Sequence, residues 1–250
     1  LARILHASSK PTELCVPQCL GYISDDWHPR VGFVFEFPLA TSHSCNSLYD
    51  LLEVDAIPFL GDRFNLAFKL SLSLSLLHTS GWLHKGIRSQ NIIFLTQGTS
   101  GAESDAIPSL KDPSVLGFEY SRPDNVVVES DLVVLANPGQ HLYQHPRAQG
   151  PARDRYSRAY DIYSLGIVLL EIGYWRRISE FWHVDYTMDA FREDLCAFHV
   201  PNLGPKVGKV YMEVVQKCLS GDLVDEQTDE NGSQRGFYWT VVKELGRLVA

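Results

Sequence analysis

The residues best placed to do chemistry lie between His84 and Asn91 (HKGIRSQN), with a histidine, two cations and an amide within one short stretch. Residue types alone make this a weak signal, because a polar surface loop has the same make-up. A second cluster, His141 and His145 in HLYQH, has the spacing at which a helix can offer two imidazoles to zinc. That site would want a glutamate at the second position, where Leu142 stands, and a third ligand that is not apparent. The pair therefore reads as packing beside a turn at Pro146. The five cysteines (Cys15, Cys19, Cys45, Cys196 and Cys218) are odd in number and scattered, and Cys15 and Cys19 miss the CxxC spacing. They read as buried free thiols of a reducing cytoplasm.

The elements that must position these residues begin with strands. Leu14 to Ile23 is apolar and β-leaning, Ser24 to Arg30 is turn-like, and Val31 to Phe37 (VGFVFEF) is aromatic and β-branched enough to pair with it as a hairpin. A short helical piece, Ser47 to Glu53, follows a polar loop, with Ser47 as its N-cap. Phe64 to Leu77 (FNLAFKLSLSLSLL) alternates leucine with serine at period two, as a strand would. It is long for a strand of about five or six residues. On a helix, Leu66, Leu70, Leu74 and Leu77 form one stripe, and Phe64, Phe68, Leu72 and Leu76 a roughly opposite one. A helix apolar on two sides is expected between layers. Tyr160 to Gly173 is apolar nearly all round and so central. Val207 to Leu219 and Phe237 to Leu248 show amphipathic helical spacing, with a solvated acidic loop between them. A few strands followed by many helices make an α+β chain.

Composition bounds the function classes. The chain has 250 residues, 45% apolar and 21% charged, the profile of a globular protein rather than a disordered or disulfide-stapled one. Its 22 Lys and Arg against 30 Asp and Glu give a net charge of −8, so no general attraction to nucleic acid or anionic membrane is expected. The longest apolar stretches, Phe64 to Leu77 and Ile162 to Ile172, fall short of the roughly 20 residues of a membrane span. The opening Leu1-Ala2-Arg3, with neither initiator Met nor signal peptide, reads as a fragment of a cytoplasmic protein.

His84-Lys85-Gly86-Ile87-Arg88-Ser89-Gln90-Asn91, between a helix and the apolar strand Ile92 to Leu95, resembles the catalytic loop of the protein kinase superfamily, His-Arg-Asp-Leu-Lys-Pro-x-Asn. Gly86 stands where the family has its proton-accepting aspartate, and Arg88 where its phosphate-contacting lysine lies. Asn91 matches the metal-binding asparagine, and Lys85 the arginine that meets a phosphorylated activation loop. After an insertion at 96–113, Val115-Leu116-Gly117-Phe118-Glu119 looks like the strand end carrying Asp-Phe-Gly, with Gly117 in place of the magnesium-holding aspartate. Glu119 is out of register and on the other side of an extended segment, so it is not read as a replacement. His145-Pro146-Arg147 resembles Ala-Pro-Glu with the charge inverted. Asp161-Ile162-Tyr163-Ser164-Leu165-Gly166 closely matches Asp-x-Trp-Ser-Leu-Gly, whose aspartate holds the catalytic-loop backbone. Phe33 to Pro38 resembles the last small-lobe strand and the hinge, which implies nucleotide contacts at Glu36 and Phe37.

The resemblance implies a kinase-like fold, with residues 1–38 the remnant of a small lobe and hinge and 39–250 a helical large lobe. The wording of the motifs looks most like degenerate kinase-like domains of filamentous fungi, often attached to HeLo-type prion-inhibition domains. It implies a pseudokinase acting as a signalling or scaffold module through protein partners or an adjacent effector domain. ATP is the cofactor it implies, contacted by Asn91, with magnesium lacking its carboxylate. Plain readings stand beside these: Glu36 as a solvent-facing strand end, and Asn91 as an amide that satisfies loop backbone. Two alternatives are an active serine/threonine kinase with relocated carboxylates and a non-catalytic adaptor that restrains a neighbouring effector domain. Val126 to Val128 and Leu132 to Leu135 read as packing within the activation segment.

Overall fold

Pro17 carries no amide hydrogen, so the apolar stretch from Leu14 cannot join a ladder along its whole length. The computed structural model describes residues 1–7, 9–25, 30–36, 43–97, 109–124, 138–150, 153–221, 223 and 235–249. The chain opens with α1 (Ala2–His6), makes a 3-10 turn at Thr12–Leu14 and reverses through Cys15 at φ 53°. Strand β1 (Cys19–Asp25) thus starts at Cys19 rather than Leu14, and pairs antiparallel with β2 (Arg30–Phe35) as the expected hairpin. Phe37, Pro38, the 126–128 and 132–135 runs, and most of the 96–113 insertion and of the acidic loop lie outside the described residues.

β3 (His43–Ser47) runs directly into α2 (Leu48–Leu51). Ser47 Oγ accepts the Asp50 amide at 3.2 Å while the Asp50 carboxylate accepts the Ser47 amide at 2.9 Å, the reciprocal cap that starts a helix. The leucine–serine segment belongs to α3 (Leu60–Thr79), a helix throughout. Leu66, Leu70, Leu74 and Leu77 are buried, as the first stripe required. The second stripe is only partly buried, and Phe68 and Leu72 face a groove of about 550 Å³ shared with residues 10–18. Three serines are buried instead: Ser71, Ser73 and Ser75. Ser71 Oγ donates to Ala67 O at 2.8 Å inside the helix, whereas Ser73 Oγ donates to Leu14 O at 2.6 Å and ties the N-terminal segment to α3.

Four short strands follow: β4 (Trp82–Leu83), β5 (Ile92–Gln97), β6 (Ser114–Val115) and β7 (Arg122–Pro123). β5 is the middle strand of an antiparallel β3-β5-β6 sheet, and β4 pairs with β7. The result is the expected α+β architecture. The central helix is α4 (Arg158–Tyr174), buried from Tyr160 to Gly173. It packs against α3, α6 (Val200–Val207) and α7 (Lys209–Ser220), with α5 (Met188–Asp194) joined to α6 by a π-helical turn at Leu195–His199. Gly208 splits the expected 207–219 helix, leaving Val207 in α6. The C-terminal helix carries a second π turn, Tyr238–Val242, before α8 (Lys243–Gly246).

The main core surrounds α4, and a second cluster joins Leu5, Leu14 and Cys19 of the N-terminal segment to Leu77 and Phe118. All five cysteines are free; Cys19 and Cys218 are buried as expected, but Cys15 and Cys196 are only half-buried and Cys45, on β3, is exposed. Among the described residues, no helix is long and apolar enough to cross a membrane.

Two of the buried serines of α3, Ser73 and Ser71, give opposite expectations. Ser73→Ala strands the Leu14 carbonyl and should cost about 1–3 kcal/mol in chemical denaturation. Ser71→Ala removes only a bond within its own helix and should be within about 0.5 kcal/mol of neutral.

Candidate functional site

The site is built upward from Asp161 in the first turn of α4, a carboxylate with no solvent exposure. Its Oδ1 accepts the Lys85 amide and the Tyr156 hydroxyl, each at 2.8 Å. Its Oδ2 accepts the His84 amide at 2.7 Å and lies 3.1 Å from His78 Nε2. Burial works against ionisation, but the hydrogen bond with His78 and that from the His84 amide outweigh it and hold the carboxyl below its usual range. The two amides belong to the loop that the sequence singled out. Their capture goes with a left-handed Lys85, at φ 63°, whose ammonium sits 5.3 Å from the centre of the Tyr156 ring.

Inside that loop, the Gly86 amide donates to His84 Nδ1 at 3.1 Å, and the His84 ring tilts against Phe118 with centroids 4.5 Å apart. Burial first, then the charge of Arg88, push the His84 pKa down to about 4, so the ring is neutral near pH 7. Asn91 Nδ2 donates to Gly86 O at 2.7 Å, which gives Asn91 the loop-satisfying role.

Gly86 and Gly117 face each other across this amide. A Cβ on Gly86 would lie 2.5 Å from Gly117 O, and one on Gly117, at φ +88°, would lie 1.9 Å from Asn91 Nδ2. Neither position has room for a side chain, so Gly86→Asp and Gly117→Asp cannot be accommodated without local movement. The magnesium that the resemblance implies would want a carboxylate at 117, where Gly117 has none; Asn91 gives Nδ2 to Gly86 O and keeps Oδ1 as the oxygen it could offer a cation. Glu119 stands on the 3-10 turn Phe118–Tyr120, half exposed, with Oε1 3.7 Å from Nη2 of the largely buried Arg88.

The remaining candidates are dispersed. Glu36 is exposed and gives its amide to Gln18 O at 2.7 Å; Phe37 lies outside the described residues. Pro146 opens a 3-10 turn capped by His145 Nδ1, which accepts the Arg147 amide at 3.1 Å. The His145 ring packs between Tyr160 and Tyr163 of α4, while His141 and Arg147 are exposed. Among the described residues, no group of three His, Cys, Asp or Glu side chains could hold a metal.

One buried chain escaped the sequence reading. Tyr143 donates to Glu171 Oε1 at 2.7 Å and lies 2.7 Å from Ser89 Oγ, which therefore supplies its hydrogen to Tyr143. The Ile178 amide also donates to Glu171 Oε1, at 2.8 Å, while Oε2 is buried without a partner. Burial raises the Glu171 pKa to about 7 despite these bonds. The signal was a lone glutamate inside the apolar run Gly166 to Gly173.

The molecule is thus an α+β domain with a loop clamped by a buried carboxylate. The chain belongs to the family described as a domain of unknown function (DUF7580), whose model matches residues 25–248. No curated protein matches it.

Gly117→Ala should destabilise by at least about 2 kcal/mol, from the left-handed backbone and the clash together. Combining it with Asn91→Ala should give less than the sum of the two single losses, as denaturant midpoints would register. Glu171 generates a pH prediction. Its folded pKa is raised, so its contribution is fully present below about 4.5 and is lost as pH rises through about 7. Glu171→Gln keeps an acceptor for Tyr143 and Ile178, and should be more stable than wild type by on the order of 3 kcal/mol at pH 8. That gain should vanish near pH 4.5.

Proposed function

We propose that this chain is a protein kinase-like domain that does not transfer phosphoryl groups, a pseudokinase working as a signalling or scaffold module. The observation that carries the reading is the clamp at Asp161. A buried carboxylate at the start of the central helix binds the His84 and Lys85 amides at 2.7 and 2.8 Å, the role that the resemblance implied for it. The packing of Gly86, Asn91 and Gly117 supports the second half. The positions matching the two working aspartates have lost their side chains, and their backbones have closed around an amide.

Magnitude favours inactivity over altered chemistry. Removing a positioned base costs about 10² to 10⁴ in rate. Phosphoryl transfer also depends on metal-bridged charge stabilisation, and the metal carboxylate is missing too. Glu119, the nearest carboxylate in sequence, is turned to Arg88. On this reading the domain acts through protein partners or a neighbouring effector domain, and any ATP it binds is held without magnesium.

The full-length protein incubated with radiolabelled ATP and magnesium should show no autophosphorylation and no transfer to generic substrates above background. Turnover that Asn91→Ala abolishes would overturn the reading. A thermal-shift titration with ATP then sorts the subtype: a rise of several degrees with or without magnesium marks a nucleotide-sensing module, and no rise marks a pure scaffold.

A further inference from the structure

Ser89, Tyr143 and Glu171 form a buried chain that the proposed function leaves unused. Glu171 lies on the central helix α4 with no solvent exposure. Its Oε1 holds two donors from other segments: the Tyr143 hydroxyl of the 3-10 turn Pro138–Tyr143, at 2.7 Å, and the amide of Ile178, which opens the 3-10 turn Ile178–Phe181, at 2.8 Å. Tyr143 in turn takes the hydrogen of Ser89 Oγ at 2.7 Å, from the turn Ser89–Asn91 that ends the clamped loop. One carboxyl group thus ties three loop segments to one helix, and Ser89, Tyr143 and Ile178 are all buried.

The carboxyl group is satisfied on one side only. Oε2 is buried without a partner, so the carboxylate form has an oxygen that no donor meets. Arg177, on the loop after α4, favours the charge of Glu171 but is engaged elsewhere, through Nη2 with Glu53 Oε2 at 2.7 Å and through Nε with the Tyr49 carbonyl at 2.9 Å. Burial first, then the charge of Glu171, push the Tyr143 phenol well above its usual range, with a smaller push from Tyr49 of α2, so Tyr143 remains a donor at neutral pH. A buried carboxyl group in this position costs less as a neutral acid than as a charge.

Relief for the charged form requires water, and α4 cannot admit it, since it is buried from Tyr160 to Gly173. The turn Pro138–Tyr143 is the lighter side of the contact. It is held to the core by Leu142 and Tyr143 and by Ser164 Oγ, which donates to Tyr143 O at 2.7 Å, while His141 is exposed. The hydrogen bonds of a 3-10 turn have poorer geometry than those of an α-helix. Segments with few buried contacts open at lower free energy than core helices. Lifting Tyr143 uncovers Glu171 and leaves the Ser89 hydroxyl without its acceptor.

We propose that Ser89, Tyr143 and Glu171 form a proton-controlled latch: the neutral acid holds the turns at 138–143 and 89–91 against α4, and ionisation loosens the 138–143 turn so that water reaches the carboxylate. The proton leaves Glu171 for solvent and no other covalent bond changes. Because burial raises the folded pKa to about 7, the hold is complete in acid and weakens as pH rises through that value. Ser89 follows directly on Arg88, so the latch sets how firmly the clamped loop is held at the end away from Asp161. The latch rests on these contacts alone and stands whether or not the domain handles a nucleotide.

Hydrogen exchange of the full-length protein, read by NMR and corrected for the intrinsic rate of each amide, tests this through the Gln144 amide, bonded to His141 O at 3.0 Å, and the Ile178 amide. Their opening constants should rise at least about tenfold from about pH 5 to about pH 8 and level off where the Glu171 carboxyl carbon titrates. In Glu171→Gln the same amides should change by less than about twofold. Val168 and Leu169, in the buried middle of α4, should stay at least about a hundredfold less open than Gln144 throughout. Turn opening that is flat with pH, or a rise that Glu171→Gln keeps, would overturn the proposal. So would a Gln144 opening constant equal to that of Val168, because the turn would then open only when the whole domain unfolds. Should Glu171→Gln fail to fold, the wild-type titration decides alone: opening that levels off away from the Glu171 carboxyl midpoint sinks the latch.

Discussion

The Asp161 carboxylate is the constraint on which the site depends. Four donors converge on it from three segments: the His84 and Lys85 amides, the Tyr156 hydroxyl and, through Oδ2, His78 at the end of α3. A carboxylate this buried is tolerable only because its lone pairs are so fully used. The same bonds set the loop backbone, and from that backbone follow the inward His84 ring, its stack on Phe118, and the meeting of Gly86 with Gly117. Local strain, such as the left-handed Lys85, is held in place by this over-determination.

Around the clamp the charges are arranged unevenly. Asp161 is fully satisfied, whereas Arg88 Nε, His84 Nε2 and Glu171 Oε2 are buried without partners. The first two belong to residues that line one cavity. Glu171 differs: it already accepts two hydrogen bonds, and burial raises its pKa to about 7 in spite of them. Arg177 lies close enough to favour its ionisation, but Arg177 is engaged with Glu53 at 2.7 Å and with the Tyr49 carbonyl at 2.9 Å.

Much of this was legible along the chain because it depends on short-range periodicity. The helical stripe Leu66-Leu70-Leu74-Leu77, the all-round apolar α4, the Ser47 cap and the β1–β2 hairpin follow from spacing and residue type. The late start of β1 was readable in principle from Pro17. The buried serines of α3 were not, because their burial depends on the chain near Leu14 crossing that face and needing a donor.

The sequence by itself determined that positions 86 and 117 carry no side chain wherever the chain places them. It also supplied Asp161 and the loop that it would hold. Only the tertiary structure decided that Gly86 and Gly117 close on Asn91, that Glu119 turns to Arg88, and that Ser89, Tyr143 and Glu171 form one buried chain. Apart from Asn91 on Gly86, these pairings join residues 26 to 54 positions apart, so they depend on how helices and loops pack rather than on any local pattern.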